Sequence, residues 1–124
     1  MIDFGKLLTK ATVITVAVPE WGGDVQVAKL TALDQLRLAD LGQSLKKTED
    51  GKIESPEDAL RFTVEVLAAT IIDGDRRPFD NDDGRRFLQS ESFTVLTRLM
   101  NAAMQLNGLG QAGEQAAIDA AKKN

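Results

Sequence analysis

Two apolar runs on either side of the short segment PEWGG place the strongest constraint on the fold. The first run, TVITVAV at residues 12–18, is dense in β-branched side chains, and the second, VQVAKL at residues 25–30, alternates apolar with polar or small ones. Between them a proline fixes φ and two glycines allow positive φ, which predicts a β-hairpin over residues 12–30 with Trp21 at its tip. Because an isolated two-stranded ribbon is marginally stable, helices, a further strand or another subunit must cover it.

The two segments that follow the hairpin carry helix start signals. Thr31 and Asp34 have the spacing of a capping box, which predicts a helix over residues 32–45 whose leucines face two neighbours. Ser55 before Pro56, followed by two acidic residues, predicts a second helix over residues 56–72. Apolar residues repeat along this second helix at helical spacing, so we expect it to be the most buried. They are Leu60, Val64, Leu67, Ala68 and Ile71, widened by Phe62 and Val66.

The second half of the chain predicts two more helices. Asp80 is the expected N-cap of a short helix over residues 81–88, although Gly84 inside it costs about 1 kcal/mol relative to alanine. Ser90 is the expected N-cap of a longer helix over residues 91–106, which ends at an Asn-Gly-Leu stop. Its expected apolar face consists of Phe93, Leu96, Leu99, Met100, Ala103 and Leu106.

The chain length and these elements together define a fold class. A chain of 124 residues is long enough for a single hydrophobic core and too short for two. We therefore predict an α+β fold, mostly α, with an N-terminal β-hairpin packed on a bundle of three to four helices. Residues 1–110 form the expected single globular domain, and residues 111–124 a flexible or weakly helical tail.

The amino-acid composition argues against an enzyme. The chain has no histidine, cysteine or tyrosine, which excludes a Ser-His-Asp triad, thiolate chemistry and the commonest metal ligands. The acidic residues 73–83 do not fit a calcium loop, because Arg85 takes the place of the required glycine. We therefore expect no catalytic residue, no cofactor and no metal. A distant enzymatic alternative would use Asp80 and Asp82 with magnesium.

The net charge and the apolar runs exclude two classes of partner. A formal net charge of -4 gives no basic surface for nucleic acid or anionic lipid. The apolar runs are too short to span a bilayer, and the N-terminus lacks the features of a secretory signal. We therefore expect a cytoplasmic protein without a membrane or nucleic-acid partner.

Candidate contact residues for a protein partner occur in two places. Trp21, which follows Pro19 and Glu20, is either folded back on the hairpin and the first helix or exposed at the tip. In the exposed case it would be a hot spot whose truncation costs about 2 kcal/mol or more of binding free energy. Met100 and Met104, one helical turn apart, would either offer an adaptable surface to helical partners or fill the core.

Four sequence features occur in a fixed order between residues 16 and 124. They are a VPEWGG turn, a V-x-V-x-basic-L-[ST] segment that contains Lys29, a DG-x-x-PF turn, and a helix that ends in LNGL upstream of KKN. Together they resemble the tail assembly chaperones of long-tailed bacteriophages. Lys29 is a further candidate contact residue for a protein partner. Similar proteins often carry arginine at this position, and lysine in its place would weaken any bidentate contact that arginine makes.

The resemblance implies a non-catalytic protein of a phage or prophage, made in the cytoplasm of the bacterial host. It would bind and solubilise the tape measure protein, help recruit tail tube subunits, and be absent from the mature virion. The resemblance and the hairpin edges also favour self-association into rings or short helical assemblies. The alternative is a permanent minor structural protein of the tail or neck. Lys122 and Lys123 are either a charged tail that interacts favourably with a helix C-terminus, or they mark the place where the resemblance implies a programmed frameshift that yields a longer form.

Overall fold

A three-stranded sheet and four α-helices make up the part of the chain that the computed structural model describes, residues 1–5 and 13–107. The antiparallel strands are β1 (Val13–Val18), β2 (Gly23–Ala28) and β3 (Ile71–Ile72), and they lie in the order β1-β2-β3. The helices are α1 (Ala32–Ser44), α2 (Pro56–Thr70), α3 (Asp82–Ser90) and α4 (Phe93–Asn107). This architecture confirms the predicted α+β, mostly helical class.

The hairpin forms because apolar residues alternate along both strands. Val16 lies opposite Val25 and Ile14 opposite Val27, so the apolar side chains share the face that packs on the core. At the tip, Pro19–Trp21 form one turn of 3-10 helix, and Gly22 follows at φ 82°. Glycine adopts this left-handed conformation without a steric penalty, which lets the chain turn directly into β2.

The third strand was not predicted. The helix expected over residues 56–72 ends at Thr70, and Ile71–Ile72 pair instead with Val27 and Gln26 of β2. Leaving the helix costs these two β-branched residues little free energy, because their helix propensity is low. In the extended conformation Ile71 is buried in the core, with only 2% of its surface exposed. Consequently β2 is the central strand, and β1 forms one edge of the sheet.

Helix α1 begins at the predicted capping box. The backbone N–H of Asp34 donates to Thr31 Oγ1 at 3.2 Å, and Thr31 Oγ1 donates to Asp34 Oδ2 at 2.9 Å. The prediction that the leucines of α1 face two neighbouring elements is wrong for Leu33 and Leu36, which are exposed, whereas Leu38 is buried. In the described part of the chain, α1 packs mainly against α2, so one face is covered.

Asp34 also joins α1 to the segment before α3. Arg77 Nη2 donates to Asp34 Oδ2 at 2.6 Å and Nη1 to Oδ1 at 3.3 Å. The Arg77 guanidinium, with help from Thr31, holds the pKa of this buried carboxyl below its usual value. Because a lowered pKa favours the ionised folded state, this stabilisation is present above the unfolded carboxyl's pKa of about 3.9 and is lost as the pH falls through the lowered value.

We therefore expect Asp34→Asn to lower the free energy of unfolding by about 2 kcal/mol at neutral pH, because Arg77 loses its charged partner. The deficit should shrink as the pH falls below about 4, first because the carboxyl becomes protonated in the unfolded chain and then, at lower pH, because the folded wild-type carboxyl is protonated as well. Urea denaturation at both pH values measures the difference. Asp40→Asn, at an exposed position of the same helix, is the matched control and should change stability by no more than about 0.5 kcal/mol.

Helix α2 is the centre of the helical layer, as its apolar pattern predicts. Ser55 caps it by accepting from the Asp58 N–H, and Pro56 takes the first helical position. It packs against α1, α3 and α4, while α4 also crosses β1 and β2. The most buried residues of α2 are Val64, Val66, Leu67, Ala68 and Thr70.

The N-caps predicted for the last two helices are both wrong. Asn81, rather than Asp80, caps α3: its Oδ1 accepts from the Gly84 N–H at 2.7 Å, while Asp80 pairs with Arg85. Ser92 Oγ accepts from the Val95 N–H at the start of α4. Ser90 is instead the last residue of α3, where a hydroxyl bonds back to a helical carbonyl.

The predicted tail at 111–124, with Lys122 and Lys123, lies outside the described residues, as does the first residue of the predicted hairpin. Within residues 1–5 and 13–107, every helix is too short or too polar to cross a lipid bilayer.

Candidate partner-binding surfaces

Trp21 is folded back against the protein and is half-buried. Its ring lies 5.6 Å from that of Phe79 and 5.5 Å from that of Phe87, and these two phenylalanines stack at 5.6 Å. The indole N–H donates to Glu91 Oε2 at 3.0 Å. These three rings form the aromatic cluster. Trp21 therefore joins the hairpin tip to α3 and the preceding loop, rather than to α1 as the buried alternative expected.

The neighbours of Trp21 at the tip are more exposed. Glu20 accepts a bidentate contact from Arg98 of α4, with distances of 2.8 Å and 2.9 Å. The Arg98 guanidinium lowers the pKa of the Glu20 carboxyl, so Glu20 holds the tip against α4 as an anion. Pro19 is exposed beside it, and Lys29 is exposed between β2 and α1. Lys29 is separated from the tip by the length of β2.

An apolar groove lies between the N-terminal halves of α2 and α4, and we call it the α2–α4 groove. Its volume is about 520 Å³, within the range of sites that hold small ligands or side chains of a partner. None of the lining residues is charged, so an apolar segment can enter without burying an unpaired charge. The lining consists of Pro56, Ala59, Leu60, Thr63, Phe93, Leu96, Thr97, Met100 and Asn101.

The two candidate methionines have different positions in relation to this groove. Met100 lines it and is half-buried, which combines core packing with an accessible surface. Met104 packs against the core one turn further along α4 and is not part of the lining. The structure thus separates two residues that the sequence placed together.

The predicted position of Phe93 is also wrong. Phe93 was expected on the buried face of the last helix, yet 79% of it is exposed at the rim of the α2–α4 groove. Val95, which was not in the predicted set, is fully buried instead. Helical periodicity gives the direction of a side chain but not how far a neighbouring helix extends to cover it.

A second hollow, of about 690 Å³, lies on the sheet beside Trp21 and Phe79. Its lining includes Asp24, Gln26 and Asp73, so an apolar partner would have to desolvate polar groups there. The described ranges hold no cluster of three or more acidic side chains arranged to bind a metal ion. The α2–α4 groove is therefore the better binding surface for an apolar partner.

Comparison with known proteins identifies a structural relative. Neither the protein-family models nor the curated proteins give a match. Among solved structures, the tail assembly chaperone of bacteriophage HK97 superposes with a TM-score of 0.56 and 21% sequence identity, over 83% of this chain and 95% of that chain. This chain therefore has the fold of the HK97 tail assembly chaperone.

Proposed function

We propose that this protein is a tail assembly chaperone of a long-tailed bacteriophage or prophage. The observation that carries the proposal is the shared fold with the HK97 chaperone, which extends over nearly the whole of that chain. A fold by itself does not specify a function, so the binding surface supplies the second line of support. The described chain presents an uncharged apolar groove, as expected of a protein that binds apolar segments of others.

The proposed client is the tape measure protein, bound through apolar stretches of its helices. A helix that places apolar residues at i, i+3, i+4 and i+7 presents a stripe of the kind that fits a groove between two helices. Met100 and Leu60 would contact this stripe from opposite sides of the α2–α4 groove. Covering such stripes keeps a long apolar protein from aggregating.

The hairpin tip is the proposed second contact surface. Trp21, Pro19 and Glu20 remain predicted contact residues for the client or for the tail tube protein. So do Lys29, which lies past the far end of β2, and Met104 on α4. Recruitment of tube subunits, self-association, a location in the host cytoplasm and absence from the finished virion belong to the same proposal. A minor structural protein of the tail or neck is the alternative, and it would be present in purified particles.

Co-expression with the tape measure protein of the same genome tests the client assignment. We expect the tape measure protein to become soluble and to co-purify with the wild-type chain. Asn101→Glu places a carboxylate in the groove at an exposed position, so it should reduce co-purification at least tenfold without unfolding the protein. A tenfold loss of affinity corresponds to about 1.4 kcal/mol of binding free energy.

Gln105→Glu is the matched control, because it adds the same charge at an exposed position of α4 outside the groove. This variant should co-purify the client as the wild type does. Equal loss in both variants would show that overall charge matters and the groove does not. A folded wild-type chain that never retains the tape measure protein would favour the structural alternative.

A further inference from the structure

Asn107, the last residue of α4, ties the end of this helix to the segment between β2 and α1. Its side-chain oxygen Oδ1 accepts from the Leu30 N–H at 2.7 Å. Its side-chain nitrogen Nδ2 donates to the Ala103 carbonyl at 2.8 Å, one turn earlier in α4. Both ends of the amide group are therefore held by hydrogen bonds, although Asn107 is only half-buried.

The residue after Asn107 is Gly108, which makes this asparagine chemically labile. Glycine has no side chain to shield its backbone nitrogen, so this nitrogen can attack Cγ of the preceding asparagine. A bond forms between the Gly108 nitrogen and Cγ, and the bond between Cγ and Nδ2 breaks. Nδ2 leaves as ammonia with the proton that the Gly108 nitrogen gives up. Water then opens the five-membered succinimide ring and yields either aspartate or isoaspartate.

The folded protein opposes this reaction at Asn107. Ring formation requires the amide group to turn towards the Gly108 nitrogen, which breaks its hydrogen bonds to Leu30 and Ala103. Asn107 also belongs to α4, and the helical backbone conformation does not fit a five-membered ring closed onto the next nitrogen. The reaction therefore needs the end of α4 to open first.

The product of the reaction cannot restore the original contacts. In aspartate an oxygen takes the place of Nδ2, so the carboxylate has no proton to donate to the Ala103 carbonyl. Its negative charge also lies at the C-terminus of α4, where the helix dipole disfavours an anion. Isoaspartate adds a methylene group to the main chain at the same place.

We propose that Asn107 is a deamidation site that reacts only when the end of α4 detaches from Leu30, and that the reaction then weakens this attachment permanently. Asn107 is the only asparagine of the chain that glycine follows, so the modification is confined to this position. Its reactants are the chain itself and water. The inference does not depend on the proposed function.

Peptide mapping by mass spectrometry tests the reaction, after incubation of the full chain in mildly alkaline buffer with and without guanidinium chloride. We expect Asn107 to deamidate at least tenfold faster in the denaturant than in the native protein. Asn101 is the internal control: it is exposed on the same helix but precedes alanine, so it should react at least tenfold more slowly than Asn107 in the denaturant. Gly108→Ala should slow the reaction at Asn107 to the rate at Asn101.

Asn107→Asp reproduces one product and tests the effect of the modification. We expect its melting temperature to be several degrees below that of the wild type. Asn101→Asp is the matched control, because it adds the same charge at an exposed position of α4, and its melting temperature should equal that of the wild type. Each of three results would overturn the inference. They are equal rates at Asn107 in the native and denatured chain, equal rates at Asn107 and Asn101 in the denaturant, and equal melting temperatures of the two aspartate variants.

Discussion

Replacing Gly84 with alanine should lower the free energy of unfolding by about 3 kcal/mol, one of the two largest effects expected in this chain. A Cβ atom at this position would lie 2.4 Å from the Cα of Phe79 and 2.7 Å from its carbonyl carbon and oxygen. These neighbours are backbone atoms and cannot rotate away as the end of a side chain would. The first turn of α3 and the preceding loop must therefore separate.

The same separation should weaken the contacts that Phe79 makes. Phe79 stacks on Phe87 and packs against Trp21, so its displacement disturbs the aromatic cluster and with it the attachment of the hairpin tip. Thermal unfolding followed by circular dichroism would show a melting temperature lower by roughly 10 °C or more. Near-ultraviolet spectra of Trp21 would report the disturbed cluster at temperatures where the variant is still folded.

Gly42→Ala provides the matched control within a helix. Gly42 lies in α1, and a Cβ there would meet only the Phe62 ring at 3.5 Å, an ordinary van der Waals distance. Alanine in this helical position should therefore be neutral or stabilising by up to about 1 kcal/mol. If both glycines tolerate alanine equally well, the close approach of α3 to Phe79 is not what requires glycine at position 84.

Gly84 also shows what the sequence alone does not reveal. On helix propensity, glycine inside the GRRF segment argues against a helix, and nothing nearby indicates which backbone approaches it. In the structure the same residue is the reason that α3 can begin directly against Phe79. Its apparent local penalty is offset by a tertiary contact that only the packed structure contains.

The features that the sequence did predict depend on short-range chemistry. The capping box of Thr31 and Asp34 and the Ser55 cap each join residues three positions apart. Residues with this spacing at the start of a helix lie close together in space, so the sequence spacing alone predicts the contact. The third strand could not be found in this way, since Ile71 pairs with Val27 from a distant part of the chain. The sequence did not predict the exposure of Phe93 for a related reason: this exposure depends on where the packing between α2 and α4 ends.

Trp21→Ala should destabilise the protein by about 3 kcal/mol, because it removes a large ring at the edge of the core and the contacts of that ring with Phe79 and Phe87. It also leaves Glu91 without the indole donor at 3.0 Å. Chemical denaturation at neutral pH measures the loss. Trp21→Phe keeps an aromatic ring but removes the N–H, so it should cost only about 1 kcal/mol.

Comparing these two variants in the co-expression assay separates packing from partner contact at Trp21. In the structure the ring is half-buried within the aromatic cluster, while Phe87 leaves 43% of its own surface exposed beside it. If Trp21 acts only through packing, both variants should solubilise the client normally at temperatures where they remain folded. A folded Trp21→Phe that loses client would make the indole N–H a direct contact, which requires Glu91 to release it on binding. Normal binding by Trp21→Phe, together with loss in Asn101→Glu, would leave the α2–α4 groove as the binding surface and Trp21 as the residue that fixes the hairpin to α3.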